Sequence, residues 1–88
     1  MDDPDVKELG ENIYEIKGLM EQGAVEKLLN IDLGEQDDET IAGFVFSLLG
    51  RKAEVGDSVA ANGFIFEVIS VEGLRINTLK VYPAPQEA

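Results

Sequence analysis

The chain has 88 residues, with 18 acidic against 7 basic side chains, a formal net charge of −11, and no histidine, cysteine or tryptophan. That length holds one domain, and the missing residue types exclude disulfide staples, thiolate-bound metals, thiol nucleophiles and every catalytic pair built on imidazole. The charge opposes phosphate backbones and anionic lipid, which are held by Lys and Arg, so neither nucleic acid nor a membrane surface is an expected partner.

Hydrophobic residues make up 44% of the chain, which is the composition of a packed domain rather than an acidic disordered tail. No apolar run reaches the roughly 18–20 residues that cross a bilayer, and no signal peptide opens the sequence. The expectation is a soluble, cytosol-compatible domain over residues 13–82, with a disordered or linker segment over 1–12 and a tail over 83–88.

In chain order, the pattern Ile-Tyr-Glu-Ile-Lys at 13–17 predicts a short strand with Tyr14 and Ile16 on one face, punctuated by Gly18. Val25, Leu28 and Leu29 fall at i, i+3 and i+4 and predict a helix over 23–29, with Asn30 as its left-handed C-terminal cap. An acidic loop over 35–39 follows. The second helix is the clearest element: Ile41, Phe44, Val45, Leu48 and Leu49 form an amphipathic stripe, with Asp37 or Asp38 as N-cap and Gly50 just past the end. Gly43 inside it lowers helix propensity, which suggests close approach of another backbone. Arg51 and Lys52 sit where cations complement the helix C-terminus.

The remainder predicts an antiparallel meander with strands near 58–61, 64–71 and 74–82. Asn62-Gly63 is the preferred type I′ hairpin dipeptide, and Glu72-Gly73 marks a second tight turn. The alternation changes parity between Val68 and Val71 and again between Ile76 and Leu79, which predicts a bulge near Ser70 and Asn77. The fold class is therefore α+β: a short N-terminal strand, two helices, then a three-stranded antiparallel meander packed on the helices. The stripe of the second helix needs that meander as its partner, so Phe44→Ala or Leu48→Ala is expected to cost about 2–5 kcal/mol.

Candidate sites are few. Glu35, Asp37 and Asp38 are oxygen donors of the kind calcium and magnesium prefer, but the spacing is not that of an EF-hand. The competing reading is a solvated helix N-terminus. The glycines form neither a dinucleotide fingerprint nor a P-loop. Ser47, Ser58 and Ser70 have no base to activate them. Arg75 has Glu67 and Glu72 as candidate partners. No catalytic constellation emerges, and the open edge of the meander offers a template for a homodimer.

Residues 28–33 (Leu-Leu-Asn-Ile-Asp-Leu), then 40–51 (Thr-Ile-Ala-Gly-Phe-Val-Phe-Ser-Leu-Leu-Gly-Arg), then Val55-Gly56-Asp57 together resemble the CorC/HlyC transporter-associated domain. Gly63, Phe66, Val68, Arg75, Ile76, Leu79 and Val81 continue the likeness, which covers residues 14–81. The chain departs from that pattern at Lys17-Gly18-Leu19, where the family usually has Asp-Gly-Arg, and at Gln22, where a leucine is usual. The resemblance implies a non-enzymatic cytosolic module at the cytoplasmic side of the cell membrane. Such a module belongs to a hemolysin-like protein of magnesium and cobalt efflux, with that parent's membrane and CBS domains as partners. It also implies a fold like a subdomain of FAD-binding oxidoreductases, from which flavin or nucleotide binding is sometimes inferred. No phosphate-binding glycine motif accompanies it, so FAD is not expected; the alternative function is a ligand-sensing module for a divalent cation, calcium or magnesium, or for an adenine nucleotide or FAD.

Overall fold

The computed structural model describes residues 5–34 and 40–85. Strands β1 (Val6–Gly10) and β2 (Ile13–Lys17) precede helices α1 (Gln22–Leu29) and α2 (Ile41–Leu49), and strands β3 (Ser58–Ala61), β4 (Phe64–Glu72) and β5 (Arg75–Pro83) follow. The five strands form one antiparallel sheet in the order β1-β2-β5-β4-β3. The N-terminal hairpin thus joins the meander through β2–β5 pairing instead of standing apart from it.

Strand β1 corrects the reading of residues 1–12 as a linker. It runs antiparallel to β2 through a turn in which Asn12 takes a left-handed φ of 61°. Only Val6 of this strand packs against the core, and Lys7, Glu8 and Leu9 are exposed. An edge strand with one inward apolar residue leaves almost no alternation to read.

Register places one set of side chains on the helix side. Tyr14 and Ile16 stand opposite Val81 and Leu79, which stand opposite Phe66 and Val68. Ile16, Phe66, Val68, Leu79 and Val81 are buried and join Val25, Leu29, Ile41, Phe44 and Val45 in one core. The rings of Phe44 and Phe66 meet edge to face, with centroids 6.2 Å apart. On the other face, Lys7, Glu15, Lys80 and Glu67 are successive cross-strand neighbours, alternating in sign across four strands. Opposite charges on neighbouring strands favour this register over one shifted by a residue.

The expected bulge is present on both strands. Val68 pairs with Leu79, Ser70 with Thr78 and Val71 with Ile76, so Ile69 and Asn77 are each an extra residue. The two insertions compensate, which returns Ile76 and Val71 to the core face. Ser70 Oγ donates to Thr78 Oγ1 at 2.8 Å and accepts from Asn77 Nδ2 at 3.2 Å, so the polar groups freed by the bulge bond one another. Asn62 and Gly63 have φ of 49° and 85°, as a type I′ turn requires. The second turn is centred one residue later than expected, on Gly73-Leu74, with Glu72 and Arg75 paired across it.

Helix α2 starts at Thr40, whose Oγ1 accepts from the Gly43 amide at 3.1 Å. The expected caps Asp37 and Asp38 lie outside the described residues. Its stripe also stops short. Ile41, Phe44 and Val45 are buried and Leu49 is partly so, whereas Leu48 is 50% exposed. Spacing assigns Leu48 to the stripe, yet it is exposed while the next residue, Leu49, packs against the core.

Candidate functional site

The most specific part of the family resemblance is a loop clamp. Helix α2 ends at Gly50, with φ 71°, and Arg51 then reaches across the loop to Asp57 instead of staying at the helix end. Its Nη2 and Nη1 donate to Asp57 Oδ1 and Oδ2 at 2.8 and 3.0 Å, and Asp57 Oδ2 also accepts the Glu54 amide at 2.8 Å. The guanidinium hydrogen bond, followed by the Glu54 amide, holds the Asp57 carboxyl below its ordinary value. Gly56 N–H donates to Val68 O and Asp57 O accepts from Val68 N–H, which fastens the clamp to β4. The pair closes a loop, and the Glu54 carboxylate adds to the field that keeps the Arg51 guanidinium charged.

A second constellation surrounds Gly18. Its amide donates to Asn77 O in the β5 bulge at 2.8 Å, and its carbonyl accepts from Ala42 N–H at 2.9 Å. Met20 O accepts from Ile41 N–H at 2.8 Å. The turn after β2 therefore satisfies the first two amides of α2, and Thr40 takes the next two through Oγ1 and its carbonyl. A helix N-terminus binds phosphate through unsatisfied N–H groups. Here all four are engaged within the chain, which argues against a nucleotide or flavin phosphate at this helix. A Cβ on Gly18 would lie 2.3 Å from Ile76 O, so the two backbones approach closely there.

Beside this turn lies a groove of about 760 Å³, lined by Leu19, Phe46, Leu74, Glu72 and Arg75 among others. Leu19, Phe46 and Leu74 are 67%, 47% and 78% exposed. A wall so open does not enclose a small ligand, which a binding pocket buries over most of its surface. No histidine or cysteine exists to work in it, and the Thr40 hydroxyl at its edge is occupied in capping. The arrangement suits contact with another surface. Sequence reading missed these three residues, although two signals were present: Phe46 lies off the α2 stripe, and Leu74 occupies a two-residue turn where polar residues are usual.

The remaining candidates separate. Glu35, Asp37 and Asp38 lie outside the described residues, and among the described residues no group of three carboxylates is placed to hold a metal ion. Ser70 is bound into the bulge, and Ser58 lies exposed at the start of β3. Arg75 stands opposite Glu72 in register. On the outer face, Tyr82 donates to Glu67 at 3.4 Å, and burial, with Glu67 beside it, pushes the phenol above its ordinary value. Gln22 is 6% exposed, and its Oε1 is the buried side-chain polar atom without a partner among the described residues. That is the position where the family usually has leucine.

Comparison with known proteins agrees with the geometry. A CorC_HlyC domain from Haemophilus ducreyi is 29% identical, with a TM-score of 0.80 over 91% of this chain and 98% of that one. The transporter associated domain of a Xylella fastidiosa hemolysin, solved in complex with Mg and Mn, is 22% identical with a TM-score of 0.81 over 92% and 99%. The transporter associated domain of a CBS domain protein from Porphyromonas gingivalis is 24% identical with a TM-score of 0.81 over the same shares, 92% and 99%. No curated protein matches the chain significantly. The family model covers residues 7–85, and within that range the loop from Gly50 to Asp57 folds as a closed clamp. The chain belongs to the transporter associated domain family, CorC_HlyC.

Proposed function

We propose that this chain is a non-enzymatic accessory domain of a membrane ion-transport protein of the magnesium and cobalt efflux, hemolysin-like kind. It acts at the cytoplasmic side and modulates transport through contacts with its parent's membrane and CBS domains. The observation that carries this reading is a family fold over residues 7–85 that carries an open apolar groove. Among the described residues, no helix is long and apolar enough to cross a membrane. Deleting residues 13–82 from the parent should change ion flux or its regulation; unchanged flux and regulation would refute the proposal.

A second reading is divalent-cation sensing by Glu35, Asp37 and Asp38, favoured by the Mg- and Mn-bound relative. Calorimetric titration separates the two: cation sensing requires saturable heat with magnesium or calcium, and heat only with ATP or FAD would point to a nucleotide or flavin ligand instead. A homodimer through an edge strand, β1 or β3, is a further proposal, and a sedimentation profile of monomer alone at high concentration would dismiss it.

A further inference from the structure

Three apolar side chains left unused by the core meet in one place. Leu19 comes from the turn after β2, Phe46 from α2 and Leu74 from the β4–β5 turn, yet all three line the same groove. Single exposed leucines are ordinary, whereas three large apolar residues converging from separate elements make a contact patch. The groove is also lined by Gly18, Ala42 and Gly43, whose small size leaves room for a bulky side chain from outside. At Gly18 that smallness is enforced, because Ile76 O blocks any Cβ.

Charge selects the occupant. Within the groove lining, Glu72 and Arg75 stand opposite each other and balance. The chain as a whole carries −11, and carboxylates at positions 35, 37, 38 and 39 directly precede the lining residue Thr40. Those carboxylates, next to Thr40 in sequence, add to the negative potential that the chain's net charge creates. Nucleic acid and anionic lipid are repelled by such a field, and a second copy brings another −11 to the contact.

We propose that this groove docks a protein segment that presents one or two bulky apolar side chains flanked by Lys or Arg. The inference rests on the accessory-domain reading and specifies its contact surface and the chemistry of its partner. The partner's apolar residues fill the space between Leu19, Phe46 and Leu74, and its cations answer the field around them.

The test is an NMR titration of the isotope-labelled 88-residue chain with an acetylated, amidated amphipathic peptide of Leu, Phe and Lys. The same peptide with Glu in place of every Lys is the control. The expected result is saturable shift changes centred on Leu19, Phe46 and Leu74 that weaken with salt, and silence from the Glu peptide. Leu19→Ser with Leu74→Ser should weaken binding by about tenfold or more. Both residues are exposed, so circular dichroism should report an intact fold, and Leu74→Ser alone serves if the double variant is unstable. No binding, shifts centred on the outer sheet face, equal binding of the Glu peptide, or insensitivity to the substitutions would each overturn the proposal. In the parent protein, a deletion that alters flux while the groove variants do not would overturn the groove and leave the accessory role standing. If the deletion itself changes nothing, the accessory role falls, and the peptide titration alone judges the groove.

Discussion

Replacing Phe44 by alanine tests how the helix meets the sheet, and replacing Leu48 supplies the control. Phe44 is 5% exposed and packs edge to face on Phe66, which is fully buried. Its removal deletes a core ring and leaves a cavity under α2, for which about 3–5 kcal/mol is the usual cost. Leu48 lies four residues on, but it is 50% exposed. Full burial of a leucine is worth about 1.5–3 kcal/mol, so half-burial puts Leu48→Ala near 1 kcal/mol. A chain of this length has a total stability of about 4–13 kcal/mol, so the first variant approaches unfolding and the second does not. Urea melts followed by circular dichroism measure both, and an unchanged slope licenses the comparison. In thermal melts Phe44→Ala should lower Tm by at least about 12 °C and Leu48→Ala by about 4–8 °C. Equal losses for the two variants would refute the packing, as would a Phe44→Ala cost below about 1 kcal/mol.

Two glycines should respond in opposite directions. Gly18→Ala forces a Cβ against the Ile76 carbonyl and should cost about 1–3 kcal/mol or more, while Gly23→Ala, with open space around it, should gain up to about 1 kcal/mol of helix propensity; paired denaturant melts check both signs. Gln22→Leu removes the unpartnered buried Oε1 together with the 3.4 Å hydrogen bond from Nε2 to Gly34 O and should raise stability by up to about 1 kcal/mol, seen as a higher Tm, whereas a lower Tm would mean that the amide's hydrogen bonding outweighs the cost of burying it. The Arg51 guanidinium, then the Glu54 amide, holds the Asp57 carboxyl below its ordinary value. Its stabilising contribution is therefore present above that ordinary value and lost as pH falls through the lower native value. A carboxyl NMR titration should place its midpoint below that of an unperturbed aspartate, and Arg51→Gln should move that midpoint upward.

The elements that could be read in the sequence are those whose signal is local. The α2 stripe, the Asn62-Gly63 turn and the parity change at the Ile69 and Asn77 bulge each follow from spacing within one or two segments, and all three are found. Strand β1 escaped because its identity comes from pairing with β2, while its own alternation rests on Val6 alone. Leu48 was misplaced because periodicity gives the direction of a side chain and says nothing of whether another element covers it. The Arg51–Asp57 clamp spans a loop, where no period exists, so Arg51 read as a helix-end cation. The groove was the least legible feature. Its walls come from three elements, and only the tertiary fold brings Leu19, Phe46 and Leu74 together.

Ion flux through the purified parent protein, reconstituted in vesicles with and without this domain, asks most directly whether the domain works by contact. Removal of the domain should change the flux, and adding back the separate 88-residue chain should restore it in a dose-dependent way with no nucleotide or flavin present. Flux indifferent to the deletion, or restored only when such a cofactor is supplied, would contradict a role exercised through contact alone.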